Sequence, residues 1–401
     1  MPTHDVDSQA IFEAYLENIQ TFKLDDGNIK EVATNSYSNA ILMENGTLYM
    51  WGRNGVPGML CGPYISIYDT LIPRDITSAF SLNEGEQIIE VFLGLNDNYV
   101  FTNQSRLFEW GGCNDCNLGA CDVEDRGYPK DVTFKMSLAE REEITSFNWY
   151  NGQMLILTSE QNVLVWGSNS QGQLGNGTRT SSDIAINIAT FFELNINESI
   201  EKVSLSNTHS AAITNEGRLF MWGWNSSGEL GDGTNDYSLV PLDITENIPL
   251  DNAETIIEVG LGFHMTTILT SIGRVFTFGS NGFGQLGNNS DVASNIPIDI
   301  TSGFNLDIDE KIIKLIIEGV TCLAITDKGN LYGWGNNESS LLGINTENNV
   351  LAPINITEEM NFEEETYLQI TIGNEYIIII TEDEVLISGN KTFDLVIDYT
   401  Q

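Results

Sequence analysis

The sequence predicts an all-β fold, a seven-bladed β-propeller closed by pairing of its N- and C-terminal segments in one blade. Three observations support this prediction: a repeat with a period of 56 residues, short strands with glycine-closed turns inside each repeat, and complementary fragments at the two ends of the 401-residue chain. A chain of this length is either a few domains or one large repetitive one. We therefore expect residues 1–401 to form a single domain, with residues 1–20 as a partly divergent N-terminal segment.

Two sequence markers define the repeat. An aromatic residue followed by glycine recurs in a series of six positions, at separations of 59, 56, 56, 56 and 56 residues: Trp51, Trp110, Trp166, Trp222, Phe278 and Trp334. The segment Pro-Arg-Asp-Ile-Thr, at residues 73–77, has five counterparts, each 56 residues after the last. A seventh copy near the end of the chain is eroded, because Ser388 replaces the aromatic residue. Self-similarity at a fixed period indicates a repeat architecture.

Each repeat carries the signals of short strands joined by tight turns. In residues 212–222, two apolar stretches flank a turn that is closed by Gly217, which is the pattern of a β-hairpin. An Ile-x-x-Val segment before each hairpin, such as residues 256–259, predicts a further strand. Units of this kind bury their faces only by stacking, either in a ring or in a solenoid.

The two ends of the chain favour the ring. The chain begins within a unit, since Phe22-x-Leu24 and Gly27-x-Ile29 match the segment that follows Asp-Ile-Thr elsewhere, and it stops at Gln401, where the preceding segment ends. Each end supplies what the other lacks, whereas a solenoid needs a polar capping unit at both ends. We therefore expect one closed ring of seven blades.

The composition argues against two classes of partner. Acidic residues outnumber basic ones 57 to 17, which gives a formal net charge of −40. Such a surface repels phosphate backbones and anionic membranes, so we expect binding to neither nucleic acid nor membrane. No apolar run reaches the length of a membrane-spanning helix, and the first residues lack the features of a secretory signal. The localisation stays open: the cytoplasm is slightly favoured, and an extracellular location is open if the sequence is trimmed.

The sequence gives little support for catalysis or metal binding. We expect that the chain is not an enzyme and that it binds neither a cofactor nor a metal ion. The histidines are scattered, no hydrolase, zinc-protease or phosphate-loop signature occurs, and His209 at a strand start is expected to be a structural hydrogen-bonding residue. Cys322 is predicted to be a core residue. For the four cysteines of two neighbouring loops, free thiols, a disulfide and a zinc site all stay open: Cys61, Cys113, Cys116 and Cys121.

One loop position of the repeat varies from blade to blade. It lies two residues after each aromatic marker and is occupied by Arg53, Gly112, Ser168, Trp224, Ser280 and Asn336. We expect these residues on one face of the fold. Trp224, Phe283 of the next loop and Arg53 are the predicted protein-binding residues, because aromatic residues and arginine dominate binding hot spots. The alternative is that Trp224 lies flat on its own blade.

The most complete copy of the repeat carries a family resemblance. Residues 217–231 read Gly-x-Leu-x-x-Trp-Gly-x-Asn-x-x-Gly-x-Leu-Gly, with Glu229 where the pattern has glutamine. This pattern resembles the regulator of chromosome condensation repeat, and the Asp-Ile-Thr marker resembles the bacterial branch of that family. The resemblance implies a seven-bladed propeller. It also implies several uses: nucleotide exchange on a small GTPase, nucleosome binding, adaptor domains of ubiquitin ligases, ultraviolet-B reception and secreted inhibition of an enzyme.

Among these uses, the sequence favours a non-enzymatic protein–protein recognition module or scaffold. We expect a monomer that binds a partner with a basic surface through the loop face of an acidic propeller. One alternative is a guanine-nucleotide exchange factor or effector of a small GTPase; another is a secreted inhibitor of an enzyme. Exchange in the family is implied to need a wedge-like insertion, and the constant period from residue 73 to residue 353 leaves no net insertion there.

Overall fold

The structure is a computed structural model of the chain. It describes residues 29–34, 38–52, 70–94, 97–111, 128–150, 152–344, 346–357, 367–372, 377–381, 384–389 and 392–398. These residues divide into two compact units: the first contains the described residues up to Phe134 and those from Val396, and the second runs from Lys135 to Leu395.

The described residues form seven antiparallel sheets, each of four strands that follow one another in the chain. Sheet one contains β1 (Ile29–Thr34), β2 (Ser38–Met43), β3 (Leu48–Gly52) and β4 (Thr70–Asp75), and sheet two contains β5 (Ile88–Leu93), β6 (Asp97–Thr102), β7 (Leu107–Gly111) and β8 (Lys130–Asp131). Sheet three contains β9 (Ile144–Tyr150), β10 (Gln153–Thr158), β11 (Val163–Gly167) and β12 (Ser182–Asn187). Sheet four contains β13 (Ile200–Leu205), β14 (His209–Thr214), β15 (Leu219–Gly223) and β16 (Ser238–Asp243).

The remaining three sheets repeat the same order. Sheet five contains β17 (Ile256–Gly262), β18 (Met265–Thr270), β19 (Val275–Gly279) and β20 (Ser294–Asp299), and sheet six contains β21 (Ile312–Glu318), β22 (Thr321–Thr326), β23 (Leu331–Gly335) and β24 (Val350–Asn355). Sheet seven contains β25 (Tyr367–Ile372), β26 (Ile377–Thr381), β27 (Glu384–Gly389) and β28 (Thr392–Asp398). Short 3-10 helices lie at Thr77–Ala79, Thr133–Met136, Ala189–Phe191, Thr245–Asn247, Thr301–Phe304 and Glu338–Ser340.

The Asp-Ile-Thr marker has a local structural cause. In sheet four, the Asp243 carboxylate accepts the amide of Thr245 at 3.0 Å, and the Thr245 hydroxyl accepts the amide of Leu219 on the third strand at 2.9 Å. Ile244 between them is buried. The marker therefore ends the fourth strand, begins the 3-10 helix and ties both to the neighbouring strand.

The repeated tryptophans pack between neighbouring sheets, as the sequence predicts. Trp222 of sheet four is fully buried, and its Nε1 donates to the carbonyl of Gln173 in the loop of sheet three at 2.9 Å. Gly175 of that loop has φ +66°, and a Cβ there would lie 2.7 Å from the Trp222 ring. Glycine is required because both the left-handed backbone and the close ring exclude a side chain.

In several sheets an ionic clamp ties the segment before the first strand, the turn between the second and third strands, and the fourth strand. In sheet four, Arg218 donates to Glu198 at 2.8 Å and to Asp243 at 2.7 Å, and its guanidinium lies 4.7 Å from the Phe220 ring centroid. Sheets two and five repeat this clamp with Arg106 and Arg274. Sheets three and six place an asparagine there, and Asn162 and Asn330 donate to the buried glutamates Glu142 and Glu310 at 2.7 Å.

The described strands leave closure of the ring by the two chain ends a prediction. All four strands of sheet seven lie in residues 367–398, and all four strands of sheet one lie in residues 29–75. The structural unit begins at the Ile-x-x-Val strand and ends after Asp-Ile-Thr, and only two residues separate β27 from β28. The shortened last repeat therefore completes its own sheet. The segment around Phe22 lies outside the described residues, and the single closed domain over residues 1–401 stays a prediction.

Candidate protein-binding surface

Four loops of the second unit share one internal architecture. They follow the third strands of sheets three to six, and a buried asparagine lies near the start of each: Asn169, Asn225, Asn281 and Asn337. The Asn225 side chain accepts the amide of Leu230 at 2.8 Å and donates to Asp232 at 3.1 Å and to the carbonyl of Asp236 at 3.0 Å. One side chain thus closes the whole loop, which explains the asparagine of the repeat pattern.

The residue before each of these asparagines is the variable position. The Trp224 amide donates to the carbonyl of Thr208 at 2.9 Å, and the equivalent amides of Ser280 and Asn336 donate to His264 and Val320 at 2.7 and 3.0 Å. The backbone therefore holds the variable side chains at equivalent places in their sheets. The predicted Arg53 lies outside the described residues, as do the four loop cysteines.

Trp224 is half-buried in an aromatic cluster. Its ring lies 4.8 Å from the ring of Tyr237, tilted by 31°, and 5.7 Å from the ring of His264. The Trp224 Nε1 is buried and donates to no described residue, so ring packing rather than hydrogen bonding holds the side chain. Trp224 packs on Tyr237 of its own loop, as the alternative prediction had it, and also contacts the next sheet.

The cluster extends in both directions from Trp224. Arg179, from the loop of sheet three, places its guanidinium carbon 4.7 Å from the Tyr237 ring centroid. The Phe263 ring lies 4.4 Å from that of His264, and 48% of Phe263 is exposed. We call these five residues the aromatic cluster: Arg179, Tyr237, Trp224, His264 and Phe263. It joins three consecutive sheets of the second unit.

Phe283 stands apart from the aromatic cluster. It is 40% exposed, and none of the ring pairs among the described residues includes it. Its amide donates to the Oε1 of Gln285 at 2.9 Å, which fixes the tip of its loop. The two predicted aromatic residues therefore lie apart on successive loops. Trp224 is half-buried and Phe283 is exposed.

A buried carboxylate supports the aromatic cluster. Glu229 occupies the position that Gln173 and Gln285 hold in the neighbouring sheets, and its Oε2 accepts the Ser227 amide at 2.7 Å. Its Oε1 lies 3.1 Å from His264 Nδ1. Gln173 instead donates its amide nitrogen to the carbonyl of Asn207 at 3.4 Å. A glutamate has no amide nitrogen that could donate such a hydrogen bond. At Glu229 the ring of His264 lies within hydrogen-bond distance of the carboxylate instead.

Sequence analysis missed Arg179, Tyr237, His264 and Phe263. Three positions near Trp224 depart from the repeat: Glu229 replaces glutamine, His264 replaces Thr208 or Val320, and Tyr237 replaces Ser181 or Ala293. Departures from a repeat that converge on one place are the signal that would have revealed the cluster.

His209 and Cys322 are buried structural residues, as predicted. His209 Nδ1 lies 2.9 Å from the Ser206 hydroxyl and Nε2 lies 3.0 Å from the Thr266 hydroxyl. Burial lowers the pKa of His209 to about 4, so the ring is neutral near pH 7. Burial likewise raises the pKa of the Cys322 thiol, which keeps it protonated.

Metal-binding groups and membrane-spanning helices are considered for the described residues alone. Among them, no group of three or more His, Cys, Asp or Glu side chains is arranged to hold a metal ion. No helix in the same part of the chain has the length and apolar character needed to cross a membrane.

Comparison with known proteins identifies the family. Models of the Regulator of chromosome condensation (RCC1) repeat match residues 160–213, 216–269, 273–314 and 328–380, and a second model of this repeat matches residues 200–229. These matches cover about half of the chain. The chain therefore belongs to the RCC1 repeat family.

Two curated relatives match this chain over very different shares of their own length. The Ultraviolet-B receptor UVR8 of Arabidopsis thaliana is 24% identical over 353 residues, which are 88% of this chain and 74% of the receptor. The E3 ubiquitin-protein ligase HERC2 of Homo sapiens is 26% identical over 323 residues, which are 80% of this chain but 6% of the ligase. This chain thus spans most of one relative and a small part of the other.

Solved structures confirm the fold. Human WBSCR16 aligns with a TM-score of 0.71 at 17% identity, covering 90% of this chain and 89% of that chain. Yeast RCC1 (Prp20), solved with Kap60, aligns with a TM-score of 0.70 at 18% identity, covering 88% and 80%. The fold is the all-β propeller of RCC1 repeat proteins, which fits protein–protein interaction or regulation of a small GTPase.

Proposed function

We propose that this chain is a non-enzymatic recognition module that binds a protein with a basic surface through the loops of sheets three to five. The aromatic cluster is the observation that carries the proposal. Exposed Phe263, half-buried Trp224 and Tyr237 and the guanidinium of Arg179 combine the residue types that dominate binding hot spots. A rigid β-scaffold holds them, so little side-chain freedom is lost on binding.

The charge of the chain selects the kind of partner. The formal net charge is −40, and Asp236 and Asp291 are exposed on the loops of sheets four and five. Complementary charge steers a basic partner and raises the association rate, an effect that salt screens. The loop face thus combines a fixed aromatic anchor with a negative surround. We propose that the chain acts as a monomer in this role.

The test is affinity capture from the native host at low and moderate salt, followed by Kd measurements with the purified partner. Trp224→Ala is expected to weaken binding by about 30-fold, since a central aromatic anchor contributes about 2 kcal/mol or more. Asn336→Ser changes the same loop position in sheet six, outside the proposed surface, and is the matched control; it is expected to bind as wild type does. Phe283→Ala tests whether the second predicted residue belongs to the same surface.

Three outcomes would contradict the proposal: equal Kd values for wild type and Trp224→Ala, an acidic partner surface, or binding that does not weaken with salt. Catalysed nucleotide release from a small GTPase by the purified chain would instead support the exchange-factor alternative. A stimulated release that Trp224→Ala leaves unchanged would separate that activity from the aromatic cluster.

A further inference from the structure

A cavity of about 270 Å³ lies in the second unit, on the side of the first strands of sheets three to six. Its wall contains three aromatic side chains, one carboxylate and two asparagines: Trp149, Tyr150, Phe263, Glu318, Asn148 and Asn207. A water molecule takes about 30 Å³ of liquid volume, so the cavity is suited to a small group rather than to a large ligand. Only Phe263 belongs both to this cavity and to the aromatic cluster.

Among the described residues that line the cavity, Glu318 is the only one with a carboxyl group. It lies at the end of β21, just before Gly319, where a Cβ would meet nothing within 4 Å, so the wall is open beside it. No described residue forms an ion pair or a hydrogen bond with its carboxylate. Desolvation raises the pKa of Glu318 to about 7, because the surrounding protein disfavours the charged form.

Glu258, a glutamate of the first strand of sheet five, has partners. Burial raises the pKa of Glu258, but its carboxylate accepts the amide of Leu315, and Lys202 and Lys314 act in the opposite direction. Glu318 has no such compensation. Its neighbour Tyr150 responds accordingly: burial, and then the charge of Glu318, raise the pKa of the phenol. Glu318 is thus a solvent-exposed carboxylate on the cavity wall without a cationic partner among the described residues.

The rest of the wall fits a cation that carries N–H donors. Aromatic faces attract cations, and the attraction strengthens when water is excluded. Asn148 donates its amide nitrogen to the carbonyl of Val203 at 3.2 Å, which leaves its amide oxygen as an acceptor. A primary ammonium group has three donors, so it can satisfy a carboxylate and an amide oxygen together.

We propose that this cavity binds a primary ammonium group at the end of a short alkyl chain, with Glu318 as counter-ion and Trp149, Tyr150 and Phe263 as the aromatic wall. The group belongs either to a free small amine or to a lysine side chain of a bound protein. The site shares only Phe263 with the aromatic cluster, and the variants that test it, at Glu318 and Leu261, lie outside that cluster.

The experiment is calorimetric titration of the purified chain with n-butylammonium chloride at pH 8 and low salt. Neutral 1-butanol has the same alkyl chain without the charge and is expected not to bind. Glu318→Gln keeps the shape of the side chain and is expected to weaken butylammonium binding at least about 10-fold, since the charge-assisted contact is lost. Glu246→Gln removes one exposed charge outside the cavity and is expected to leave binding unchanged.

A second variant tests the cavity itself. Leu261→Phe enlarges a wall residue and is expected to reduce butylammonium binding while Glu318 is retained. Equal binding by wild type and Glu318→Gln, or binding of 1-butanol as strong as that of butylammonium, would overturn the proposal. Thermal unfolding of each variant checks that it folds, so a loss of binding can be assigned to the site.

Two further titrations distinguish the sources of the ammonium group. Nα-acetyl-lysine methylamide carries the lysine side chain on a blocked backbone, and 1,4-diaminobutane represents a free amine. Binding of the blocked lysine that depends on Glu318 identifies a protein side chain as an acceptable ligand. Binding of the diamine alone identifies a free amine, and binding of neither contradicts the proposal.

Discussion

Two regions of the second unit hold glutamates in contrasting surroundings: the Glu198 side chain is fully buried and paired, whereas Glu318 is exposed to solvent and has no ion-pair partner among the described residues. At the hairpin of sheet four, Glu198 has a fully buried side chain that accepts the amide of Asn195 and the guanidinium of Arg218, each at 2.8 Å. Burial acts to raise its pKa, but the Asn195 amide, Thr214 and Arg218 together hold that pKa below its ordinary value. At the cavity, desolvation by the surrounding protein raises the pKa of Glu318 to about 7 without any compensating partner.

The difference distinguishes a carboxylate that stabilises the fold from one that is available to bind a ligand. A carboxylate that already has an arginine and backbone amides stabilises the fold and has little left to offer a ligand. A carboxylate without partners costs stability when it ionises and regains it when a cation binds. The same side-chain type thus stabilises the hairpins in one region and provides a candidate binding group in the other.

The largest expected effect comes from breaking the hairpin clamp. Arg218→Ala leaves Glu198 buried without its cation, and we expect the free energy of unfolding to fall by about 3 kcal/mol. Arg218→Asn is the matched control, because Asn162 and Asn330 pair with the equivalent glutamates of sheets three and six. Urea unfolding at pH 7.5 measures both. Equal losses for alanine and asparagine would show that the charge, not the hydrogen bond, stabilises the hairpin.

The buried histidine His209, which is hydrogen-bonded in its neutral form, extends the comparison to a base. His209 has a pKa of about 4, below its ordinary value of 6.5, so the native state binds fewer protons than the unfolded state between these values. Stability contributed by this residue is therefore lost as pH falls from 6.5 towards 4. We expect His209→Gln to reduce that loss by about 2 kcal/mol, measured by urea unfolding at pH 7.5 and pH 4.5. An unchanged pH dependence would mean that other groups cause it.

Removing the uncompensated charge is expected to stabilise the chain. The raised pKa of Glu318 means that its contribution is most favourable below the ordinary carboxyl pKa and is lost as pH rises through about 7. Because the side chain also faces water in the cavity, we expect Glu318→Gln to gain only about 1 kcal/mol at pH 8. The gain should vanish near pH 4.5. Glu246→Gln at an exposed position should change stability at neither pH, and a loss for Glu318→Gln at pH 8 would contradict this account.

The smallest effect is expected at the base of the aromatic cluster. Glu229→Gln restores the residue that sheets three and five use, and its Oε1 can accept the loop amide as Gln173 and Gln285 do at 2.8 and 2.9 Å. We expect thermal unfolding to change by less than about 1 kcal/mol. A loss of 2 kcal/mol or more would show that the pairing of Glu229 with His264 stabilises the loop through charge.

The repeat made most of the fold predictable. Trp222, Gly217, Asn225 and the Asp-Ile-Thr marker each have a local reason that recurs in several units, so periodicity revealed them. The boundaries of the structural unit were harder to predict, because the most visible marker, Trp-Gly, ends the third strand rather than beginning the first. Closure of the ring by the two chain ends involves residues 1–28, which lie outside the described residues, and it stays a prediction.

The site was predictable only in part, because its residues break the repeat. Trp224 stood out at a variable position, but its contacts with Tyr237 and His264 depend on two loops from different sheets. The cavity was not foreseen, since Tyr150 and Glu318 occupy positions in separate first strands and nothing in the linear sequence places them on one wall. Local pattern predicts elements; the meeting of distant, non-repeating residues needs coordinates.

The buried asparagine of each loop has a consequence for how the surface can change. Asn169, Asn225, Asn281 and Asn337 hold their loops from inside. In sheets four and five the preceding residue joins that framework through its backbone amide, whereas in sheet six the Asn336 side chain also accepts the amide of Glu338. At Trp224 and Ser280 the side chain can therefore be exchanged with little change to the loop conformation. Serine, tryptophan, serine and asparagine already occupy this position in four successive sheets. Substitutions at this position can therefore change the binding specificity of the chain one loop at a time.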